Sequence, residues 1–475
     1  MSNDFLFHPE GEDRFTFDTY MGQVSLEASE ESMTPFGGSV PLAAFLKKLG
    51  VVEALAQTCP VKRTSPNASS VFDILTTFVL GTLCDCDRFR QLNRLRADPI
   101  LANVFGAQKM VGDDAVRRLF QSVPAKEGAQ WVANASRGLW EALPDSFVLD
   151  WDSTVLTRYG NQEGSQVGYN PTKPGRKSHH PLLAVVAGTR LCPYYRWRPG
   201  NAGAAAQWIE AMEEAQNWLG KSPWLNRGDI GFCSEEVLQW HEQQSHRPRF
   251  LFKMRQTANL KRAISRLDEE EWRGCPTPGV LQTSEIELQL SGWSQPRRVV
   301  IGRRLQGYSG GAENGEFWKF ARHEYEAYVT SLTLQEATSW QVIELYRKRA
   351  DCENVFDELK NQWGFAGFCS KHKQVTELSA RLLLVAYNMW NLFLRLLEPN
   401  RHVEAKYGRR WFLQLPAKLV TSGRQRTWKI ALNREWMSTL MAGYQRVFQW
   451  LQLTAPQLKE VRVNSPPQSA EMVRI

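Results

Sequence analysis

The sequence predicts a mixed α/β protein in which a sheet-based domain with a β-rich insertion sits between helical N- and C-terminal regions. Three observations predict it. Apolar residues recur at helical spacing in Pro41–Leu55, Ser70–Leu83 and Asp113–Val123. From about residue 146 short β-rich runs take over and alternate with helical segments, beginning with Phe147–Leu156 (FVLDWDSTVL). From about residue 334 the helical spacing returns.

Taken in order, residues 1–35 read as an acidic N-terminal arm with some strand character, holding eight acids against Arg14. Residues 36–145 read as a helical region, whose last helix suits either DNA contact or an ordinary place in a small bundle. Asp113 or Asp114 is expected to cap its last helix, and Arg117 and Arg118 project from it. Residues 146–258 and 321–365 form the α/β core. Its strands are expected at Phe147–Leu156, His180–Gly188, Pro193–Trp197, just before Asp229, at Arg249–Met254 and at Tyr325–Leu332. Its helices are expected at Gly203–Leu219, Ser234–Gln243 and, as one long helix, Leu334–Trp363. Residues 259–320 form the β-rich insertion, with strand-like runs Glu285–Leu290 and Arg298–Ile301. Residues 366–475 read as a basic region, helical to about residue 453 and ending in a polar tail with Pro466 and Pro467. Three early strands, then a helix, a strand, further α/β and a closing helix resemble the ribonuclease-H-like fold.

Composition narrows the function. The 475 residues carry a net charge of +8, which favours a polyanionic partner. The 75 residues from Arg401 onward hold 13 Lys/Arg against Glu404, Glu435, Glu460 and Glu471, so that end carries the excess. There Arg409, Arg410, Trp411, Arg424, Arg426, Trp428 and Lys429 interleave cations with aromatics, a pattern that suits a DNA surface and equally core tryptophans beside snorkelling arginines. Eight scattered cysteines without a CxxC argue against a structural zinc site and suit a reducing cytosol. The acidic N-terminus is unlike a signal peptide. The most apolar stretch, Leu382–Leu394, is shorter than a bilayer span and broken by Asn388 and Asn391, so it reads as a core helix and no membrane partner is expected.

Asp150 and Asp152 share one face of a strand whose other face holds Phe147, Leu149 and Trp151. Two acids on an apolar strand are costly to bury unless a cation compensates them. Either aspartate can fill the site role at this stage. Asp229 stands at a strand end in Arg227–Phe232 (RGDIGF), between glycines. Tyr346, Arg349, Glu353 and Lys360 are spaced by 3, 4 and 7, which on one helix confines them to roughly a 60° arc beside the apolar stripe Leu345, Cys352, Phe356 and Leu359. Lys173, Arg176 and Lys177, in a Gly/Pro-rich loop, suit contacts to a DNA backbone.

These residues carry a resemblance. Tyr346-x2-Arg349-x3-Glu353-x6-Lys360 matches in full the Y-x2-R-x3-E-x6-K signature of one branch of bacterial DDE insertion-sequence transposases. Asp152-Ser153-Thr154 and Arg227–Phe232 match that branch's first two acid motifs. Gly160–Gly164, Gly168–Pro171 and Ser178–Leu183 resemble insertion-sequence family 1380 within it. The resemblance implies a DNA transposase whose catalytic and metal-binding acids are Asp152, Asp229 and Glu353, with Asp152 bridging two Mg2+ ions, for which Mn2+ may substitute. It implies phosphate contacts from Tyr346, Arg349 and Lys360. Its implied partners are double-stranded DNA (terminal inverted repeats and target) and a second copy of the chain in the DNA complex, within a bacterial cytoplasm. A ribonuclease-H-like nuclease without strand transfer and a captured transposase that only binds DNA are the competing readings. Three acids with a complete helix signature disfavour the second.

Overall fold

The computed structural model describes residues 14–27, 31–65, 67–243, 247–274, 282–313, 316–453 and residue 458. The tail with Pro466 and Pro467 lies outside the described residues, as do parts of the acidic arm and of the β-rich insertion. The described arm contains a hairpin, Arg14–Thr19 with Gly22–Glu27.

The N-terminal helices are α1 (Ser39–Leu49), α2 (Val51–Gln57), α3 (Val71–Leu83), α4 (Asp113–Ser122) and α5 (Ala125–Ser136). The run Pro41–Leu55 is therefore two helices. Gly50, at φ 66°, supplies the left-handed residue that ends α1 and starts α2. Ser70 caps α3 through the Asp73 amide. The expected cap of α4 is corrected: Gly112 occupies that position, and Asp113 lies in the first turn, bonded to Asn93 and paired with Arg117 at 2.9 Å.

A nine-stranded sheet follows. Its strands are β1 (Val148–Ser153), β2 (Leu182–Val186), β3 (Leu191–Arg196), β4 (Leu225–Gly228), β5 (Arg249–Lys253), β6 (Arg273–Gly274), β7 (Gln282–Leu288), β8 (Arg297–Glu313) and β9 (Glu316–Thr330). The spatial order is β6-β7-β8-β9-β5-β4-β1-β2-β3. β4 runs parallel to both β1 and β5, β2 lies antiparallel beside β1, and β3 pairs antiparallel with β2. The β-rich segment thus extends the central sheet through the long pair β8/β9, and a helix, α8 (Ala258–Ile264), opens it.

Alternation along β1 sorts the two faces. Leu149 and Trp151 enter the main core with Trp208 of α6 (Trp208–Leu219), Trp240 of α7 (Glu235–Glu242) and Phe250 and Phe252 of β5. Val148 faces the other way, with Leu225, Leu251, Val300 and Tyr328, under Val342, Ile343, Leu345 and Tyr346 of α9 (Ser339–Arg347).

The expected single helix 334–363 is corrected to α9 and α10 (Ala350–Gln362). At the joint the amides of Arg349 and Cys352 bond three residues back, to Tyr346 and Arg349, instead of four. Such tightening advances the chain by about 120° per residue rather than 100°. The one-helix arc therefore holds for Arg349, Glu353 and Lys360, while Tyr346 belongs to the preceding helix.

Helix α11 (Lys373–Leu397) is buried along almost its whole length. Its interrupting Asn388 is satisfied by the backbone of Cys192 on β3, accepting from N–H and donating to C=O, each at 2.8 Å. No helix among the described residues is long and apolar enough to cross a membrane. Helices α12 (Ala405–Phe412) and α13 (Arg434–Leu451) frame a hairpin, Ala417–Ser422 with Gln425–Ile430, where only helix was expected. This region packs back on the N-terminal helices. The hairpin pairs with Met33–Thr34, and Phe45 of α1 stacks between Phe393 and Trp450 at 5.4 and 5.3 Å. Arg409 is a correction to the proposed DNA surface. It is buried on Trp363, paired with Asp85 at 3.0 Å and bonded to the carbonyls of Thr82 and Gln362.

Candidate active site

On β1 the two aspartates part company. Asp150 is fully buried and gives both oxygens to Arg227 of β4, at 2.6 and 2.7 Å. Burial pushes its carboxyl up, against the pull of Arg227. A third contact from the same guanidinium reaches the Leu345 carbonyl at the end of α9. Asp150 is thus enclosed and paired within the sheet, whereas the Asp152 side chain keeps 17% of its surface exposed.

Asp152 accepts from the Ser153 amide at 2.7 Å and pairs with Arg349 at 2.8 Å. Burial raises its carboxyl to about 6, with the charge of Asp229 adding to the rise and Arg349 opposing it. Asp229 arrives from the neighbouring strand. The parallel register sets Arg227 beside Asp150 and Gly228 beside Trp151, so one further step sets Asp229 beside Asp152. Asp229 caps the single turn Ile230–Phe232 through the Gly231 amide, 2.9 Å away. The glycines around it are needed for that fit: a Cβ at Gly228 would lie 2.8 Å from the Phe232 ring, and one at Gly231 would lie 2.4 Å from the Ala204 Cβ.

The helix joint delivers the rest. Tyr346 stacks on Tyr328 at 4.4 Å. Burial raises its phenol to about 12, and the charges of Asp229 and Asp152 contribute while Arg349 opposes them. Arg349 lies between two acids, reaching Asp152 and, at 3.8 Å, Glu353, whose side chain is 72% exposed. Its buried Nε has no hydrogen-bond partner. Burial lowers the Lys360 ammonium, and the Asp152 carboxylate acts on it in the opposite sense.

The charges around Asp152 form an oxygen-only donor set of the kind hard divalent cations take. Burial, with a smaller contribution from the like charge of Asp229, leaves Asp152 with its carboxyl raised even though Arg349 is paired to it. Among the described residues, however, no three His, Cys, Asp or Glu side chains are close enough to hold one ion as they stand. The Arg349 guanidinium lies between Asp152 and Glu353.

Lys173, Arg176 and Lys177 are exposed after β1, Lys173 and Arg176 on a loop and Lys177, against expectation, at the start of a short strand, Lys177–His179, that pairs with Leu156–Thr157 and Gln166–Val167; Arg176 lies over the Tyr159 ring at 5.9 Å. No hydrogen bond or ion pair among the described residues joins them to the acids. The adjacent histidines are buried, and His179 is held between Arg158 and the Glu163 carbonyl. The glycine-rich stretch before them serves close backbone approach. A Cβ at Gly168 would lie 1.9 Å from the Gly200 carbonyl oxygen. Sequence reasoning missed Arg227. Its signal was present, because Asp150 and Arg227 each stand two positions before an acid on what prove to be neighbouring parallel strands.

Comparison with known proteins defines the class. The family described as "Transposase DDE domain group 1" matches residues 19–452, and the chain belongs to it. It is a DDE transposase, an enzyme class that generally uses divalent metal ions. Among solved structures it is similar to the piggyBac transposase in a synaptic complex with hairpin DNA, at 12% identity and a TM-score of 0.41, over 93% of this chain and 88% of that one. No curated protein matches it.

Proposed function

We propose that this transposase cuts double-stranded DNA at the terminal inverted repeats of its own insertion sequence and joins the freed 3′-hydroxyl ends to target DNA. Asp152, Asp229 and Glu353 are the catalytic acids and would hold two Mg2+ ions, or Mn2+ in their place. The observation that carries the reading is the β1/β4 register, which sets Asp229 beside Asp152 on the side of the sheet where Tyr346 and Arg349 arrive. The strand order β3-β2-β1-β4-β5, with only β2 antiparallel to β1 among its neighbours, supports a ribonuclease-H-like core. Membership of the insertion-sequence branch with the Y-x2-R-x3-E-x6-K signature, and likeness to family 1380 within it, rest on sequence motifs.

Bound divalent ions would supply activation of the attacking oxygen and charge relief at the leaving one. The chain's own residues do the positioning. Asp152 and Asp229 present oxygens from adjacent strand ends, and Glu353 presents its own from a helix able to turn an exposed side chain inward. Arg349 and Lys360 offer the fork and the point charge that suit phosphate oxygens, and Tyr346 adds a phenolic donor. In this reading Arg349 exchanges its acids for a DNA phosphate once the ions neutralise those acids. Lys173, Arg176 and Lys177 follow the flanking backbone, and two copies of the chain hold the two ends within the bacterial nucleoid.

The test is Glu353→Gln. The amide keeps the shape and removes the charge. Gel shifts on a terminal-repeat duplex should be unchanged, whereas Mg2+-dependent cleavage of the same duplex should fall at least a hundredfold, or about 2.7 kcal/mol of barrier. Normal cleavage by the variant would end the proposal.

A further inference from the structure

The buried Arg227 side chain belongs to the Asp229 strand, touches the Asp152 strand, and touches the helix that leads into the Glu353 helix. It sits two residues before Asp229 on β4. Its Nε and Nη2 hold both oxygens of Asp150, two residues before Asp152 on β1. Its Nη1 is bonded to the carbonyl of Leu345, the last residue before Tyr346 and the turn that carries Arg349 into the Glu353 helix. Arg227 and Asp150 are each about 1% exposed. A planar fork with three of its donors fixed permits little sliding of β1 against β4 or of α9 against either. Hydrophobic packing of Leu225, Leu251 and Leu345 fills the same layer but lacks that directionality.

We infer that Arg227 is a positioning residue, which through Asp150 and the Leu345 carbonyl holds the Asp152, Asp229 and Glu353 segments in the alignment needed to bind divalent cations. This rests on the reading of those three acids as the site. Arg227 touches neither metal nor DNA. Its effect passes through the backbone, two residues along each strand and, from Leu345, eight residues across the joint between the two helices to Glu353.

The test separates alignment from mere stability. Replacing a buried ion pair by apolar side chains of similar volume is often neutral or stabilising. The double variant Arg227→Met with Asp150→Leu, in the full-length chain, is therefore expected to melt cooperatively near the wild-type temperature. Its affinity for Mn2+, measured by titration calorimetry without DNA, should fall about tenfold to a hundredfold, the range seen when groups supporting metal ligands are lost. Cleavage of the terminal-repeat duplex should fall in step, with duplex affinity unchanged. A folded double variant with Mn2+ affinity and cleavage within about twofold of wild type would overturn the inference. Should the double variant fail to fold, Arg227→Lys decides. It keeps the charge opposite Asp150 but cannot make three contacts at once. Wild-type Mn2+ affinity and cleavage in it would equally overturn the inference, and a reduced Mn2+ affinity in a folded Arg227→Lys chain would support it. Asp152→Asn distinguishes the two levels. Normal cleavage by Asp152→Asn removes the underlying site, whereas an inactive Asp152→Asn beside a normal Arg227 pair variant removes only the alignment role.

Discussion

At the scale of single residues, the two aspartates of β1 differ in everything but type. Asp150 is neutralised by a guanidinium on both oxygens, and Asp152 carries a burial penalty that its pairing with Arg349 does not offset. That imbalance has a sign in stability. A carboxyl at about 6 when folded, against 3.8 as the ordinary value, favours the folded state when protonated. The contribution is full below about pH 4 and is lost as pH rises through about 6. At neutral pH the metal-free protein therefore carries a penalty on the order of 2–3 kcal/mol at this residue. Asp152→Asn should abolish cleavage and yet raise the melting temperature at pH 7.5 in chelator, with the difference shrinking towards pH 4. A variant less stable than wild type at pH 7.5 would contradict this account. The open acid was legible from the Asp-x-Thr motif, but its separation from Asp150 was not. That depended on Arg227, 77 residues on, which joins Asp150 only when the parallel register is known.

At the scale of elements, periodicity located the strands of the core and the helices around them because each buries one face and exposes the other. It failed where two helices meet. Nothing in the apolar spacing of 334–363 marks the tightened turn at Arg349, since residues on both sides keep their stripes. It failed again at Ala417–Ile430, an exposed hairpin whose polar residues carry no core signature. That hairpin presents Arg424, Arg426 and Lys429 to solvent, whereas α4 presents Arg117 and Arg118 from a helix. Arg117 is already tied to Asp113 and lies over the Phe89 ring. If α4 reads base edges, Arg117→Ala and Arg118→Ala should weaken binding to the terminal repeat more than to random DNA. Neutralising the three hairpin cations should weaken both alike and flatten the salt dependence by about two to three charges' worth of slope. Titrations on both duplexes at several salt concentrations distinguish these outcomes, and equal losses in both variants on both duplexes would make α4 purely structural. The loop after β1 offers a sharper test of backbone crossing. Gly168→Ala drives a methyl into the Gly200 carbonyl and should cost about 1–3 kcal/mol, read as a lower urea midpoint at unchanged slope.

At the scale of the whole molecule, the helical regions that flank the sheet in sequence form one body across it. Two buried histidines make the sheet-based part between them sensitive to acid. Burial lowers His241 to about 3, where its Nδ1 donates to the Val237 carbonyl, and lowers His179 to about 4, beside Arg158. Both are held neutral, so their contribution is full above about pH 6.5 and is lost as pH falls through that value towards 4. Unfolding free energy should decline by several kcal/mol between pH 6.5 and 4.5, and His179→Gln with His241→Gln should flatten that decline while lowering stability at pH 7.5. Urea titrations at the two pH values measure both effects. The second brace is covalent order itself. Asp85 and Thr82 are satisfied by Arg409, the Gly37 carbonyl by Trp428, and Met33–Thr34 by a strand that begins at Ala417. A ribosome has synthesised most of the chain before the first helices meet the residues that complete them. Until then the amino-terminal third lacks its partners, and a message cut short upstream of residue 409 yields a chain that cannot finish this body. Such fragments would not accumulate as folded competitors for the element's ends, so a stop codon upstream of residue 409 would silence the enzyme without leaving an inhibitor behind.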